Sequence, residues 1–139
     1  MVSIEDIDRM LERRDVDGLI GCLNDSDVSV RATAAQALGL LGDNRAFDAL
    51  MNYLNDSDAL MRVYAAFALG LLGDNRAFDA LMNCLNDDNE WVRGYAVFAL
   101  GKIGDERAIP ALEKMLDDYS TVGVLDETEK DWHQATVSA

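Results

Sequence analysis

The spacing of apolar residues divides most of the chain into short helical stretches. Between residues 28 and 41 the apolar positions recur at helical intervals and share one face of a helix: Val30, Ala34, Ala37, Leu38 and Leu41. Gly42 suits the end of this helix, and Asp43 suits the start of the next one. A shorter apolar pattern follows in residues 46–54, and no segment of useful length alternates as a strand does. The pattern predicts an all-α fold in which longer and shorter helices alternate.

The helical pattern recurs along the chain at a constant period. Residues 24–54, 55–85 and 86–116 are three copies, of which the first two agree at 24 of 31 positions and the last two at 16. The segment "ALGLLGDNRAFDALMN" even occurs twice without change, at 37–52 and 68–83. A period of this length is typical of a solenoid, in which each unit stacks on its neighbours. We therefore expect a single domain over residues 1–139.

The two ends of the chain depart from the repeat. Residues 14–23 match the shorter helix, and residues 4–13 are expected to form a helix with a polar outer face, so residues 1–23 predict an N-terminal cap and half repeat. Residues 117–139 predict a degenerate C-terminal cap containing Val122, Val124, Leu125 and Trp132. Two alternatives remain open: this tail is partly disordered, or Trp132 folds back into the groove on the concave side of the repeats.

Charge and composition narrow the classes of function. The net charge of −14 disfavours binding to nucleic acids and to anionic membranes. No apolar run approaches the ~20 residues of a membrane span, and the N-terminus lacks a secretion signal, so a cytoplasmic location is expected. Cys22 and Cys84 occupy equivalent positions two units apart, too far for a disulfide, and are interpreted as reduced core residues.

The residue types needed for catalysis or metal binding are scarce. The one histidine, His133, is followed by Gln134 and lies in the tail, and two distant cysteines cannot complete a zinc site with it. The acidic "NDSD" and "NDDN" segments lack the glycine and glutamate of a calcium loop and are explained by helix capping. We expect no catalytic residue, no metal and no cofactor, and the chain is predicted to be a non-enzyme.

The segment "NDSDVSVRATAAQALGLLGDNRAFDALMNYL" resembles a HEAT-like repeat of the phycobilisome-lyase type. The matching features are an Asp placed shortly before an Arg, small residues, and then "ALG", "GD", "RA" and "AL". The resemblance covers residues 14–116 and implies a right-handed α-solenoid whose longer helices line the concave surface. It also implies a structural ladder that ties the repeats together, formed by Asp25, Arg31, Asp56, Arg62, Asp87 and Arg93. The ladder stops where Val124 replaces the expected Arg.

The differences between the copies fall on one stripe of the longer helix. Ser29, Thr33 and Gln36 of the first copy become Leu60, Tyr64 and Phe67 in the second and Trp91, Tyr95 and Phe98 in the third; the next position reads Leu40, Leu71 and Lys102. This stripe points away from the core stripe, and a core would hardly accept the polar residues of the first copy. Core packing of the aromatic residues nevertheless remains the alternative.

These features predict a protein–protein interaction scaffold. The expected partner is a basic, apolar peptide or helix, held in a groove rimmed by Asp56, Asp58, Asp87 and Asp88. The groove is predicted to comprise Leu60, Tyr64, Phe67, Leu71, Trp91, Tyr95 and Phe98. Two alternatives are a homodimer that uses the same face, and a lyase-like or other enzyme-accessory role. Gly39, Gly70 and Gly101 are expected to permit close helix packing.

Overall fold

In a computed structural model, residues 1–122 form an all-helical repeat fold. The structure describes these residues, with side chains as far as Asp117. The α-helices are α1 (Ile4–Glu12), α2 (Val16–Cys22), α3 (Val28–Leu41), α4 (Phe47–Asn52), α5 (Ala59–Leu72), α6 (Phe78–Cys84), α7 (Glu90–Ile103) and α8 (Ile109–Val122). Short 3₁₀ turns occupy Asn44–Ala46, Tyr53–Asn55, Asn75–Ala77 and Glu106–Ala108. Within the described residues there is no strand, which confirms the all-α prediction.

The same capping residues define each long helix. The N-cap side chains of α3, α5 and α7 each accept a hydrogen bond of 2.8 Å from the backbone amide two positions on, and these N-caps are Asp27, Asp58 and Asn89. Each of the three helices ends at a glycine in the left-handed conformation, at Gly42, Gly73 and Gly104 with φ between 66° and 73°. A side chain is strained in that conformation, so only glycine closes these helices without cost.

The helices form two layers. Helices α3, α5 and α7 pack side by side, and α2, α4 and α6 pack against them from the other layer. The hydrophobic core lies between the layers and is built mainly from alanines and leucines such as Ala34, Leu38, Leu69 and Leu100. Small residues dominate the long helices because neighbouring backbones approach closely.

Two glycines allow the closest approach between the long helices. A methyl group at Gly39 would lie 2.8 Å from Cα of Ala68, and one at Gly70 would lie 2.7 Å from Cα of Ala99. Carbon atoms at rest are ~3.5–4.0 Å apart. The prediction of close packing is therefore confirmed at these two glycines.

The Gly-Asp-x-Arg-Ala segment of each repeat forms a second set of contacts between repeats, which the sequence patterns did not predict. Asp74 caps a 3₁₀ turn and also holds Arg76 by paired hydrogen bonds of 2.7–3.1 Å. The guanidinium of Arg76 lies 4.1 Å from the ring centroid of Phe47 in the preceding unit. Arg107, held in the same way by Asp105, lies 4.2 Å from the ring of Phe78. The Asp-x-Arg motif that recurs once in each repeat is the signal that would have revealed this arrangement.

The N-terminal segment packs on the first repeat, and its role as a cap of the stack stays a prediction. Ser3 and Asp6 form a reciprocal capping box at the start of α1, and Ile7 is fully buried where α1 packs on α2 and α3. At the other end, α8 continues to Val122, beyond the last repeat boundary at residue 116. The predictions for Val124, Leu125, Trp132 and His133 lie outside the described residues.

Both cysteines are free and buried. Burial raises the pKa of Cys22, and it raises the pKa of Cys84 to about 11. Neither thiol is therefore ionised near neutral pH, which agrees with their interpretation as core residues.

A candidate protein-binding face on the long helices

The stripe that differs between the repeats is partly open to solvent. Trp91 is 63% exposed, Leu60 40% and Leu40 59%, and they are among the most exposed large apolar side chains that the structure describes. Each lies at one end of its long helix. The remaining predicted groove residues are half-buried: Tyr64, Phe67, Leu71, Tyr95 and Phe98. The stripe is thus neither fully in the core nor scattered over the surface.

Three of the half-buried rings form an aromatic cluster between α5 and α7. Phe67 and Phe98 are stacked with ring centroids 5.6 Å apart, and Tyr95 meets both edge-on at 5.9 and 6.3 Å. Tyr64 and Tyr95 also pack against the hydrophobic core. In the described part of the chain, Phe67 and Phe98 belong neither to the core cluster nor to the residues packed against it. Their burial therefore comes chiefly from one another and from the helix surface beneath them.

The glycines that bring the long helices together also contact side chains of this face. Phe98 lies 3.5 Å from the position of a methyl group at Gly70, and Leu71 lies 3.3 Å from that position at Gly39. The space beside each glycine is therefore occupied by a stripe residue of the next helix. The face is consequently held by rigid helices rather than by loops.

Charge is distributed unevenly around the face. Near Trp91 and Leu60, Asp88 and Glu90 are exposed and Asp58 is partly exposed. At the opposite end Nζ of Lys102 lies 5.6 Å from the ring centroid of Phe98, a contact that the sequence patterns did not predict. Such a position is favourable for a cation over an aromatic ring. The face is therefore acidic at the start of the helices and basic at the end of α7.

All four acids expected at the rim have partners within the chain. Asp87 bonds to Arg62 at 2.9 Å and caps the following turn, and its side chain is only 13% exposed. Burial alone would raise the pKa of Asp87, but hydrogen bonds from Arg62 and from the amide of Asn89 outweigh it and lower the pKa. Asp56 accepts a hydrogen bond from the amide of Asp58. Asp58 caps α5, and Asp88, although exposed, lies 3.4 Å from Arg62. The most exposed negative charges of this group are those of Asp88 and Glu90.

The six residues of the predicted ladder form one Arg–Asp contact in each of the three repeats. In each unit the arginine donates to the backbone carbonyl of the ladder aspartate that precedes it, at 2.7 Å for Arg31 and Arg93 and 2.8 Å for Arg62. These bonds close the turn before each long helix. Arg62 also forms an ion pair with the next unit, through Asp87. The role of all six in tying repeats together stays a prediction.

The described residues offer no constellation for metal chemistry. No group of three or more His, Cys, Asp or Glu side chains there could hold a metal ion. In the same part of the chain, no helix has the length and apolar character needed to cross a membrane.

Comparisons with known proteins agree with the repeat architecture. The family model for HEAT repeats matches residues 3–62 and 48–123. No curated protein matches the sequence. The solved complex of CpcE and CpcF of phycocyanin lyase from Nostoc sp. PCC7120 contains a chain 28% identical to this one, with a TM-score of 0.69. That alignment covers 79% of this chain and 50% of the Nostoc chain, so this chain spans about half the length of that relative.

A second solved structure extends the likeness in fold. An engineered protein aligns over 97% of this chain and 64% of its own, at 21% identity and a TM-score of 0.57. Two matches to the HEAT-repeat family model cover most of the sequence, and the observed helix pairs agree with that family. The chain belongs to the HEAT-repeat proteins.

Proposed function

We propose that this protein is a non-enzymatic interaction module that binds an apolar, basic protein segment on the face formed by α5 and α7. The observation that carries the proposal is the exposure of Trp91 and Leu60 beside the cluster of Phe67, Tyr95 and Phe98. Aromatic residues at the centre of a rigid surface are the usual anchors of protein interfaces. In the first repeat the equivalent positions are polar, so the second and third repeats carry the binding.

Charge complementarity selects the partner. The chain carries a net charge of −14, and Asp58, Asp88 and Glu90 border the exposed end of the face. Basic side chains of a partner would gain both from these carboxylates and from the rings of Trp91 and Tyr95. Lys102 at the far end disfavours a second basic group there. The bound segment is therefore basic at one end and apolar along the rest.

The test uses two variants that copy residues from other repeats. In the double variant Leu60→Ser and Trp91→Ser, both positions take the serine that the first repeat carries at residue 29. The control Leu40→Lys copies Lys102 and changes an exposed leucine outside the α5–α7 face. Each protein is immobilised and exposed to a cell lysate, and retained proteins are identified by mass spectrometry. Circular dichroism first establishes that all three fold alike.

The proposal predicts that the native chain and the control retain the same partner and that the double variant loses it. Retention should weaken as salt rises, because exposed charges are screened. Equal retention by the double variant would place the interaction elsewhere on the molecule. If the native chain is instead a dimer by light scattering and the double variant a monomer, the face joins two copies of this chain.

An accessory role in a two-chain assembly is the second candidate. The likeness to a chain of the CpcE–CpcF complex of phycocyanin lyase supports it, since that protein is found with a second chain. In that case the retained partner would be another HEAT-repeat chain, and the purified complex would hold a small aromatic ligand visible by its absorbance. Retention of an unrelated protein without such absorbance would argue against this role.

A further inference from the structure

The variable positions of the second and third repeats follow the axes of α5 and α7. On each helix they are spaced four, three and four residues apart, which keeps them in line on one side of the helix. They are Leu60, Tyr64, Phe67 and Leu71 on α5 and Trp91, Tyr95, Phe98 and Lys102 on α7. From the first to the last of these positions each helix rises ~16 Å. The α5–α7 face is therefore a straight strip about three helical turns long.

The α5–α7 face offers a partner mostly hydrocarbon and aromatic groups. The backbone amides and carbonyls in the interior of both helices are bonded within their own helix. Between the two ends of the face, the hydroxyls of Tyr64 and Tyr95 are its polar groups. The backbone of an extended segment would therefore lose water here and gain few hydrogen bonds, which is unfavourable. A helix satisfies its own backbone, so it is the form of partner that suits this face.

The two ends of the face carry opposite charges. At the start of α7, Asp88 and Glu90 are exposed, and the side chain of Asp88 is 94% exposed. At the end of α7, Lys102 is exposed. The carboxylate of Asp105, in the turn that follows, is bonded to Arg107 at 2.6 Å. A partner that spans the face therefore meets carboxylates at one end and an ammonium group at the other.

Lys102 distinguishes the third repeat from the first two. The same position is Leu40 in the first repeat and Leu71 in the second. Nζ of Lys102 lies 5.6 Å from the ring centroid of Phe98, so its charge stands at the edge of the aromatic cluster. A partner that covers this cluster removes water from the ammonium group, and a carboxylate of the partner would compensate for that loss.

The charges also distinguish the two directions in which a helix can lie on the face. Helices commonly carry acidic residues in the first turn and basic residues in the last, because these charges complement the helix dipole. A helix of this kind that lies antiparallel to α7 places its basic turn near Asp88 and Glu90 and its acidic turn near Lys102. The parallel direction brings like charges together at both ends.

We infer that the occupant of the α5–α7 face is one amphipathic α-helix that runs antiparallel to α7. Its basic last turn lies at Asp88 and Glu90, its acidic first turn lies at Lys102, and apolar side chains between them cover the aromatic cluster. This inference rests on the proposed function and adds to it the conformation of the partner, its direction and its second charge.

The test uses synthetic peptides of about 15 residues, which span ~20 Å as helices. Two of them share one stripe of leucines and are held helical by a hydrocarbon cross-link on the opposite side. The first has glutamates in its first turn and lysines in its last turn, whereas the second has lysines in both turns. A third peptide has the charges of the first, two central prolines and no cross-link, so that it cannot form a helix. Affinities for the full chain are measured by isothermal titration calorimetry.

Two variants of the protein separate the role of Lys102 from that of net charge. Lys102→Glu reverses the charge at the end of the face, and Lys114→Glu makes the same change at an exposed position of α8. The first peptide should bind the native chain about three- to fivefold more tightly than the second. This order should invert in Lys102→Glu and persist in Lys114→Glu. The proline peptide should give no measurable binding.

The direction of the helix is determined by nuclear magnetic resonance. A nitroxide on the last residue of the first peptide should broaden the amide signals of Asn89 and Glu90, and one on its first residue should broaden those of Ile103 and Gly104. The reverse pattern would overturn the inference, because the helix would then be parallel to α7. Equal affinities of the first two peptides, an unchanged order in Lys102→Glu, or equal binding of the proline peptide would also overturn it.

Failure of this inference can be distinguished from failure of the proposed function. If no helical peptide binds at millimolar concentration, while the double variant Leu60→Ser and Trp91→Ser loses a lysate protein that the native chain retains, the helix is wrong and the binding face stands. If the double variant binds the helical peptides as tightly as the native chain does, the peptides bind elsewhere, and both the inference and the proposed face are wrong.

Discussion

Replacement of Gly70 by alanine tests how the long helices are held together. The added methyl group would lie 2.7 Å from Cα and 2.9 Å from Cβ of Ala99. Contact between carbon atoms requires ~3.5–4.0 Å, so α5 and α7 must separate by about 1 Å. Overpacking of this kind costs ~1–3 kcal/mol, whereas alanine gains about 1 kcal/mol over glycine in helix propensity. The net result is a loss of about 0–2 kcal/mol.

Gly21 is the matched control, because it lies in α2 and a methyl group there would meet no atom within 4 Å. Gly21→Ala therefore shows the gain in helix propensity alone, about 0.5–1 kcal/mol. The difference between the two variants isolates the contact at about 1–3 kcal/mol. In urea denaturation followed by circular dichroism, their midpoints should differ by about 0.5–1.5 M. If Gly70→Ala stabilises the protein as much as Gly21→Ala, the close approach of α5 and α7 is wrong.

Three further predictions concern acid stability, thiol reactivity and the core. Hydrogen bonds from Arg45 and Arg107 lower the pKa of Asp43 and Asp105 to about 2 in the folded protein. Because these carboxyl groups have a pKa of 3.8 when free, they stabilise the folded protein fully above pH 3.8 and lose this effect as the pH falls toward 2. The midpoint of thermal unfolding should fall as the pH drops from about 4 to 2, and less steeply in the double variant with asparagine at both aspartates. At pH 8 iodoacetamide should leave Cys84 unmodified in the native protein and modify it in urea, as mass spectrometry would show; rapid native alkylation would contradict its burial. Leu69→Ala, at a fully buried site, should cost ~2–5 kcal/mol in urea denaturation, while Leu40→Ala at an exposed site should change stability by less than about 0.5 kcal/mol.

The sequence predicted the helices well because each boundary has its own local chemistry. Asp27 and Gly42 begin and end α3 through hydrogen bonds and backbone conformations that depend on few neighbours. The repeat then carries the same signals to α5 and α7. The apolar periodicity likewise identified buried positions such as Leu38. These features were predictable because they act within one or two helical turns.

Contacts between units were harder to predict. The stacking of Arg76 on Phe47, and the position of Lys102 over Phe98, depend on how far one unit is shifted against the next. Close packing at residues such as Gly39 sets that shift between units, and it cannot be read from the spacing of apolar residues along the chain. The stripe of variable residues was found from the sequence. Its degree of burial could not be predicted, because it depends on the position of the neighbouring helix. The binding role of that stripe stays a proposal.

Fluorescence of Trp91 tests the proposed binding face most directly. In a Trp132→Phe variant, Trp91 is the one remaining tryptophan. Its side chain is 63% exposed, so its emission should resemble that of tryptophan in water and should be quenched readily by acrylamide. Addition of the retained partner, or of a synthetic basic amphipathic peptide taken from it, should shift the emission to the blue and protect it from quenching. Emission that is already blue-shifted in the unbound protein, or that does not change on binding, would contradict the assignment of the α5–α7 face as the binding site.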